Sequence, residues 1–109
     1  MSVSSQNDEG ADASNQASIS ADGNTVAYRS VAPNLVADDT NGVRDIFIYT
    51  IDSRETRRVS LSSTGIQADD SSLFPVLSAS GRIIIFESNA GNLANSADNG
   101  YTDIFFMIL

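Results

Sequence analysis

Ser20-Ala21-Asp22-Gly23 and the run Thr25-Val26-Ala27-Tyr28 behind it decide the fold, because the pattern returns as Ser78-Ala79-Ser80-Gly81 and Ile83-Ile84-Ile85-Phe86. A glycine-bearing turn that feeds a β-patterned run is a hairpin signal. The two copies are offset by 58 residues, and the same offset relates Asn34-Leu35 to Asn92-Leu93, Asn41-Gly42 to Asn99-Gly100, and Asp45-Ile46-Phe47 to Asp103-Ile104-Phe105. Residues 1–51 thus align without a gap with residues 59–109. A fixed period marks solenoids, propellers and arrays, in which each unit buries its apolar faces against its neighbours.

Each unit reads as short strands. Residues 17–21 alternate apolar and polar ahead of the turn. Residues 25–28 follow it, and their counterparts 83–86 are apolar throughout, which predicts a strand buried on both faces. Residues 46–49 and their counterparts 104–108 are almost continuously apolar and rich in β-formers. The polar turn 52–56 leads into an outer strand at 57–62, where alternation predicts Val59 and Leu61 inward with Arg58 and Ser60 facing water. Helical periodicity is not sustained anywhere, and the Gly, Ser, Asn and Asp punctuation breaks helices. The fold class is therefore all-β, with two four-stranded antiparallel units of the kind that repeat radially as β-propeller blades. A β-sandwich is the competing architecture, but sandwiches rarely repeat a whole four-strand unit.

Residues 20–28, 34–35, 39–49 and 58–60 read as Ser-Ala-Asp-Gly with an aromatic-ended strand, then Asn-Leu, then Asp-Thr-Asn-Gly-x-x-Asp-Ile-Phe-x-Tyr, then Arg-Val-Ser. This pattern resembles the WD40-like (PD40) repeats of TolB-type propellers, and the resemblance covers both units. The second unit departs from it with Ser80 for Asp22, Ser96 for Asp38 and Ala97 for Asp39. The resemblance implies a six-bladed scaffold used for binding and assembly, and a periplasmic or extracytoplasmic setting.

The cut of the repeats gives a second expectation. The first blade occupies residues 6–58 with its outer strand at 57–62, and the second occupies residues 63–109, stopping after Phe106, Met107 and Ile108. Residues 1–5 align instead with Val59-Ser60-Leu61-Ser62-Ser63. An apolar strand with an unpaired edge is a template for pairing. Ser2, Val3 and Ser4 of one copy are thus expected to pair with Phe106, Met107 and Ile108 of the next, head to tail, until a ring closes. Six blades would make the partner assembly a homotrimer, and eight a tetramer. The alternative is a piece of a larger propeller.

Composition narrows the chemistry. The 109 residues carry a net charge of -8 with six arginines and no lysine, which disfavours nucleic-acid phosphates as partners. No apolar run approaches a membrane span, and the polar N-terminus lacks the pattern of a signal peptide. With neither histidine nor cysteine present, Ser-His-Asp and Cys-His sites and thiolate metal sites are excluded, so a non-catalytic role is expected. Phe47, Tyr49, Phe86, Phe105 and Phe106 sit in β-patterned runs and read as core, while Tyr101 reads as an exposed loop residue.

In a propeller the carboxylates of Asp8, Glu9, Asp12, Asp38, Asp39, Asp45, Asp69, Asp70, Asp98 and Asp103 fall on one rim, which would concentrate cations, basic protein segments or sugars. No cofactor is expected, calcium being the one that a rim of this kind would take if it took any. Its candidate ligands are Asp39, Asn41 and Asp45 in the first unit and Asp98, Asn99 and Asp103 in the second, hard oxygens beside a glycine turn. The competing reading is structural: Asn41-Gly42 makes a tight turn, and Asp45 and Asp103 accept hydrogen bonds where the third strand starts.

Overall fold

The computed structural model describes residues 10, 14–32, 35, 43–61, 66–93 and 102–109. They form seven strands and no helix: β1 (Ser14–Ile19), β2 (Thr25–Ser30), β3 (Asp45–Thr50), β4 (Glu55–Arg58), β5 (Ser72–Leu77), β6 (Ile83–Ser88) and β7 (Asp103–Ile108). The first sheet is an antiparallel meander ordered β1-β2-β3-β4, and the second is β5-β6-β7. The expected all-β class is what the structure shows.

The period of 58 residues is visible in hydrogen bonds as well as in letters. Gly23 and Gly81 adopt φ values of 73° and 71° in the two hairpin turns, a region that suits glycine. Ser20 Oγ accepts from the Thr25 amide at 3.1 Å, and Ser78 Oγ accepts from the Ile83 amide at 3.1 Å. Ser20 Oγ donates to Asp22 Oδ1 at 2.5 Å, whereas Ser80 takes the place of Asp22 and lies 3.3 Å from Ser78 Oγ. Both first strands carry a β-bulge, with Gln16 at φ 55° and its counterpart Phe74 at φ 53°. Ser14 and Ser30 share a hydroxyl bond across β1 and β2, and Ser72 and Ser88 repeat it across β5 and β6.

Packing between the sheets makes the core. Ala27, Ile46 and Ile48 on one face of the first sheet, with Val59, meet Leu77, Ile84 and Phe86 of the second, and Phe105, Met107 and Leu93 close around them. Full burial of a side chain of this size contributes about 1.5–3 kcal/mol. Polar hooks fix the register of the two layers: Phe74 N donates to Gln16 Oε1 at 2.9 Å, Leu77 N to Ser18 Oγ at 3.2 Å, and Ala21 N to the Ala79 carbonyl at 2.9 Å. The far face of the first sheet holds a second cluster of Val26, Tyr28, Ala32, Leu35 and Phe47. Tyr28 stacks on Phe47 with ring centroids 5.9 Å apart, and Phe86 on Phe105 at the same separation.

Three expectations are corrected. The outer strand of the first sheet is Glu55–Arg58, not 57–62, because β4 pairs Glu55 with Thr50 and Arg58 with Phe47. Arg58 and Ser60 do not face water. Ser60 is fully buried and the Arg58 side chain nearly so, since each bonds a buried carboxylate. Finally, β6 is buried on one face only, with Ile84 and Phe86 inside and Ile83 and Ile85 exposed. Residues 1–5, the expected donor strand with Ser2, Val3 and Ser4, lie outside the described residues.

The turns test the contact between the sheets. A Cβ on Gly23 would meet nothing within 4 Å, whereas one on Gly81 would stand 3.1 Å from Ser20 Cβ and 3.3 Å from Thr25 Oγ1. Gly23→Ala should therefore cost about 1–2 kcal/mol of backbone strain. Gly81→Ala should cost more, because it also forces the second turn off the first sheet. Chemical denaturation of the two variants checks the order.

Candidate interaction surface

Two features stand out in the site region: a buried charge held by a serine and an arginine, and an apolar face without a cover. Asp45 opens β3 and is fully buried. Its Oδ1 accepts from Ser60 Oγ at 2.9 Å, and Arg58 Nη1 lies 3.4 Å from Oδ2. The same Ser60 oxygen accepts from the Ile46 amide at 3.1 Å, and Arg58 Nη1 also donates to Gln67 Oε1 at 2.9 Å. Burying a charge is costly unless it is paired and hydrogen-bonded, and here both conditions hold. The carboxylate is thus a structural clasp between β3, the end of β4 and the loop at Gln67.

Of the other candidate cation ligands, Asp103 alone is among the described residues. Asp103 is half-buried at the start of β7, opposite Ser88. Asp39, Asn41, Asp98 and Asn99 lie outside the described residues, as does Tyr101. Among the described residues no cluster of three or more metal-ligating side chains occurs. Asp69 and Asp70, expected on an acidic rim, are exposed but turned to local backbone: Asp69 Oδ1 accepts from Gly91 N at 2.8 Å and Asp70 Oδ1 from Ser71 N at 2.6 Å. Asp22 is a turn cap of the same kind, and the Ser20 hydroxyl, helped by the Asn24 amide, holds its carboxyl below the ordinary value. A recess of about 80 Å³ lined by Asn15, Arg29, Ser30, Val31 and Arg44 sits beside the first sheet.

The uncovered surface is the outer face of the second sheet. Phe74, Val76, Ile83, Ile85, Ile104, Phe106 and Ile108 are between 43% and 71% exposed. The register makes them one patch, since Val76 is opposite Ile85, Ile85 opposite Phe106, and Ile83 opposite Ile108. Phe106, expected in the core, is 71% exposed because β7 alternates and only Phe105 and Met107 turn toward the first sheet. Monomers rarely show contiguous apolar patches beyond a few hundred Å² unless something binds there. On its outer side β7 has no described neighbour, and its residues Ile104 to Ile108 include no lysine or proline to blunt the edge.

Comparing the repeats shows how this patch differs from the face the chain itself covers. Ser18, Thr25, Ala27, Ile48 and Thr50 of the first sheet correspond to Val76, Ile83, Ile85, Phe106 and Ile108. The open face is the more apolar of the two. Val76, Ile83, Ile85 and Ile104 were not singled out from the sequence as surface residues, yet the replacement of hydroxyl by hydrocarbon at matched positions was there to be read.

No protein-family model matches the chain, and no curated protein matches it.

Two predictions concern the buried groups. Arg58→Met leaves the Asp45 carboxylate without its cation and should destabilise the fold by about 3–5 kcal/mol, as breaking a buried ion pair from one side does. Urea denaturation measures it. Burial pushes the Tyr28 phenol up to about 12, with the Thr56 hydroxyl a smaller opposing influence. The unfolded phenol loses its proton first, near 10, so stability present below that pH should fall as pH rises toward about 12. Tyr28→Phe should remove this share of the alkaline decline.

Proposed function

We propose that this chain is a non-catalytic scaffold module that joins copies of itself through its second sheet. One observation carries the reading: an apolar sheet face is uncovered, and its repeat counterpart is the face that the chain buries internally. A surface of this kind gains free energy by leaving water, and the reading is supported by its counterpart on the first sheet, which has a sheet as its cover. Assembly also suits a composition without the histidine or cysteine of the common nucleophilic sites.

A second reading, favoured by the repeat itself, is the head-to-tail ring of blades suggested by the resemblance to TolB-type propellers. In that arrangement the first sheet of one copy would lie on the open face of the next, as the second sheet lies on the first within the chain. The observed β4 bears on how such a ring would close. Residues 1–5 are counterparts of residues 59–63, which follow β4, so the segment that would line Phe106, Met107 and Ile108 corresponds to Glu55–Arg58 instead.

Light scattering over a concentration series tests the proposal. The chain of 11.5 kDa should run as a discrete multiple of its mass. Phe106→Asp should return it to single-chain mass with an unchanged circular dichroism spectrum, because the side chain is exposed in the isolated fold. A wild-type monomer at tens of micromolar, a range typical of weak specific contacts, sinks the reading.

A further inference from the structure

We propose that the recess beside the first sheet is a binding site for a small oxyanion, a phosphate or carboxylate group held by Arg29 and Arg44. The site is independent of the self-assembly reading, because the recess belongs to the first sheet and the open apolar face to the second.

The strand register gathers the lining. Asn15 near the start of β1, Arg29, Ser30 and Val31 around the end of β2, and Arg44 just ahead of β3 surround a hollow of about 80 Å³. Asn15 is opposite Arg29, and Ser30 is opposite Asp45, the residue after Arg44. That volume has room for several waters, and so for one group of phosphate or carboxylate size. Two of the six arginines in a chain of net charge -8 meet here, and no acidic residue lines the recess. Among the described residues neither arginine has an ion-pair partner. Asp45 is taken up by Arg58 and Ser60, while Asp69 and Asp70 accept from the Gly91 and Ser71 amides.

The side chains are set to donate. Arg29 Nε donates to Asn15 Oδ1, which steadies the guanidinium and leaves its two Nη groups as a fork for two oxygens of one oxyanion. With its oxygen engaged, Asn15 keeps an amide donor. Arg44 is anchored by its backbone, its amide donating to Ser71 Oγ at 3.4 Å and its carbonyl accepting from the Ser72 amide at 2.7 Å. The residue is exposed, so its guanidinium can fold over a bound group without unpacking the core.

Comparing the repeats shows that the fold does not ask for these arginines. The counterparts of Asn15, Arg29 and Arg44 are Leu73, Glu87 and Thr102. The strands of the second sheet nevertheless pair in the same register, Leu73 opposite Glu87 and Ser88 opposite Asp103. Guanidinium groups that strand pairing does not need, at a recess without a counter-charge, are accounted for by a ligand that brings one. Physiological salt largely screens charges more than about 8 Å away, so the local arginines outweigh the bulk acidity of the chain.

The whole chain is titrated with sodium phosphate and, separately, with sodium acetate, at an ionic strength held constant with sodium chloride, while NMR follows the arginine side-chain Nε signals. Either anion should shift the Arg29 and Arg44 signals saturably, with a Kd on the order of millimolar, and leave Arg82 unmoved. The anion bound more tightly identifies the ligand as phosphoryl or carboxylate. Arg44→Thr installs the residue that the second unit carries, so it should keep the circular dichroism spectrum and weaken binding roughly tenfold or more, as loss of a charged hydrogen bond does. Arg29→Lys, which keeps the charge without the fork, should weaken it as well. Absence of a saturable shift, a shift that chloride alone reproduces, or an affinity that survives Arg44→Thr overturns the site. None of these results changes the mass in solution, so the self-assembly reading stands or falls apart from it.

Discussion

The contact between the two sheets is the constraint on which the structure depends. A sheet of three or four short strands cannot bury an apolar face alone, and the described residues contain one sheet of four strands and one of three with a shared core. Ala27, Ile46 and Ile48 remove one face of the first sheet from water by meeting Leu77, Ile84 and Phe86 of the second. Each sheet then has one face left. The first is covered at Val26, Tyr28 and Phe47, where Ala32 and Leu35 pack on it. The second is open. The asymmetry follows from placing two repeats in a row, and it turns a question about function into one about what covers the second sheet.

The buried clasp at Asp45 shows that the repeats have also diverged in chemistry. In the first unit the third strand begins with a carboxylate held by Ser60 and Arg58, residues that lie just past the strand pairing of β4 or at its end. A charge placed there fixes the path of the chain leaving the sheet, because moving Ser60 or Arg58 away strands the carboxylate in an apolar surround. That path leads to Gln67 and so to β5. The clasp therefore ties the start of β3 to the end of β4 and to Gln67, ahead of β5.

Much of this was legible in the sequence. The offset of 58 residues, the turns at Gly23 and Gly81, and the strands around Tyr28, Phe47, Phe86 and Phe105 are local signals, since turn chemistry and β-patterning act over a few residues. What could not be read was which apolar residues of the second unit face inward. Ile83-Ile84-Ile85-Phe86 and Ile104 to Ile108 are apolar at nearly every position, so alternation is silent and only the presence of a covering layer decides burial. Arg58 and Ser60 were misread for a related reason. Their outward placement followed from strict period-two alternation, but β4 ends at Arg58, and Arg58 and Ser60 turn toward the buried carboxylate at the start of the neighbouring strand, which no local pattern marks.

An exposed face of this character brings its own control. Each copy carries a net charge of -8, so two copies repel over the ten or so ångströms to which physiological salt lets the field extend. Diffuse hydrophobic sticking must overcome that repulsion at every orientation, whereas a contact that aligns the whole patch gains the full apolar area at once. Bulk acidity and a localised apolar face thus act at different ranges, the first opposing random association and the second rewarding only a contact that covers the whole patch.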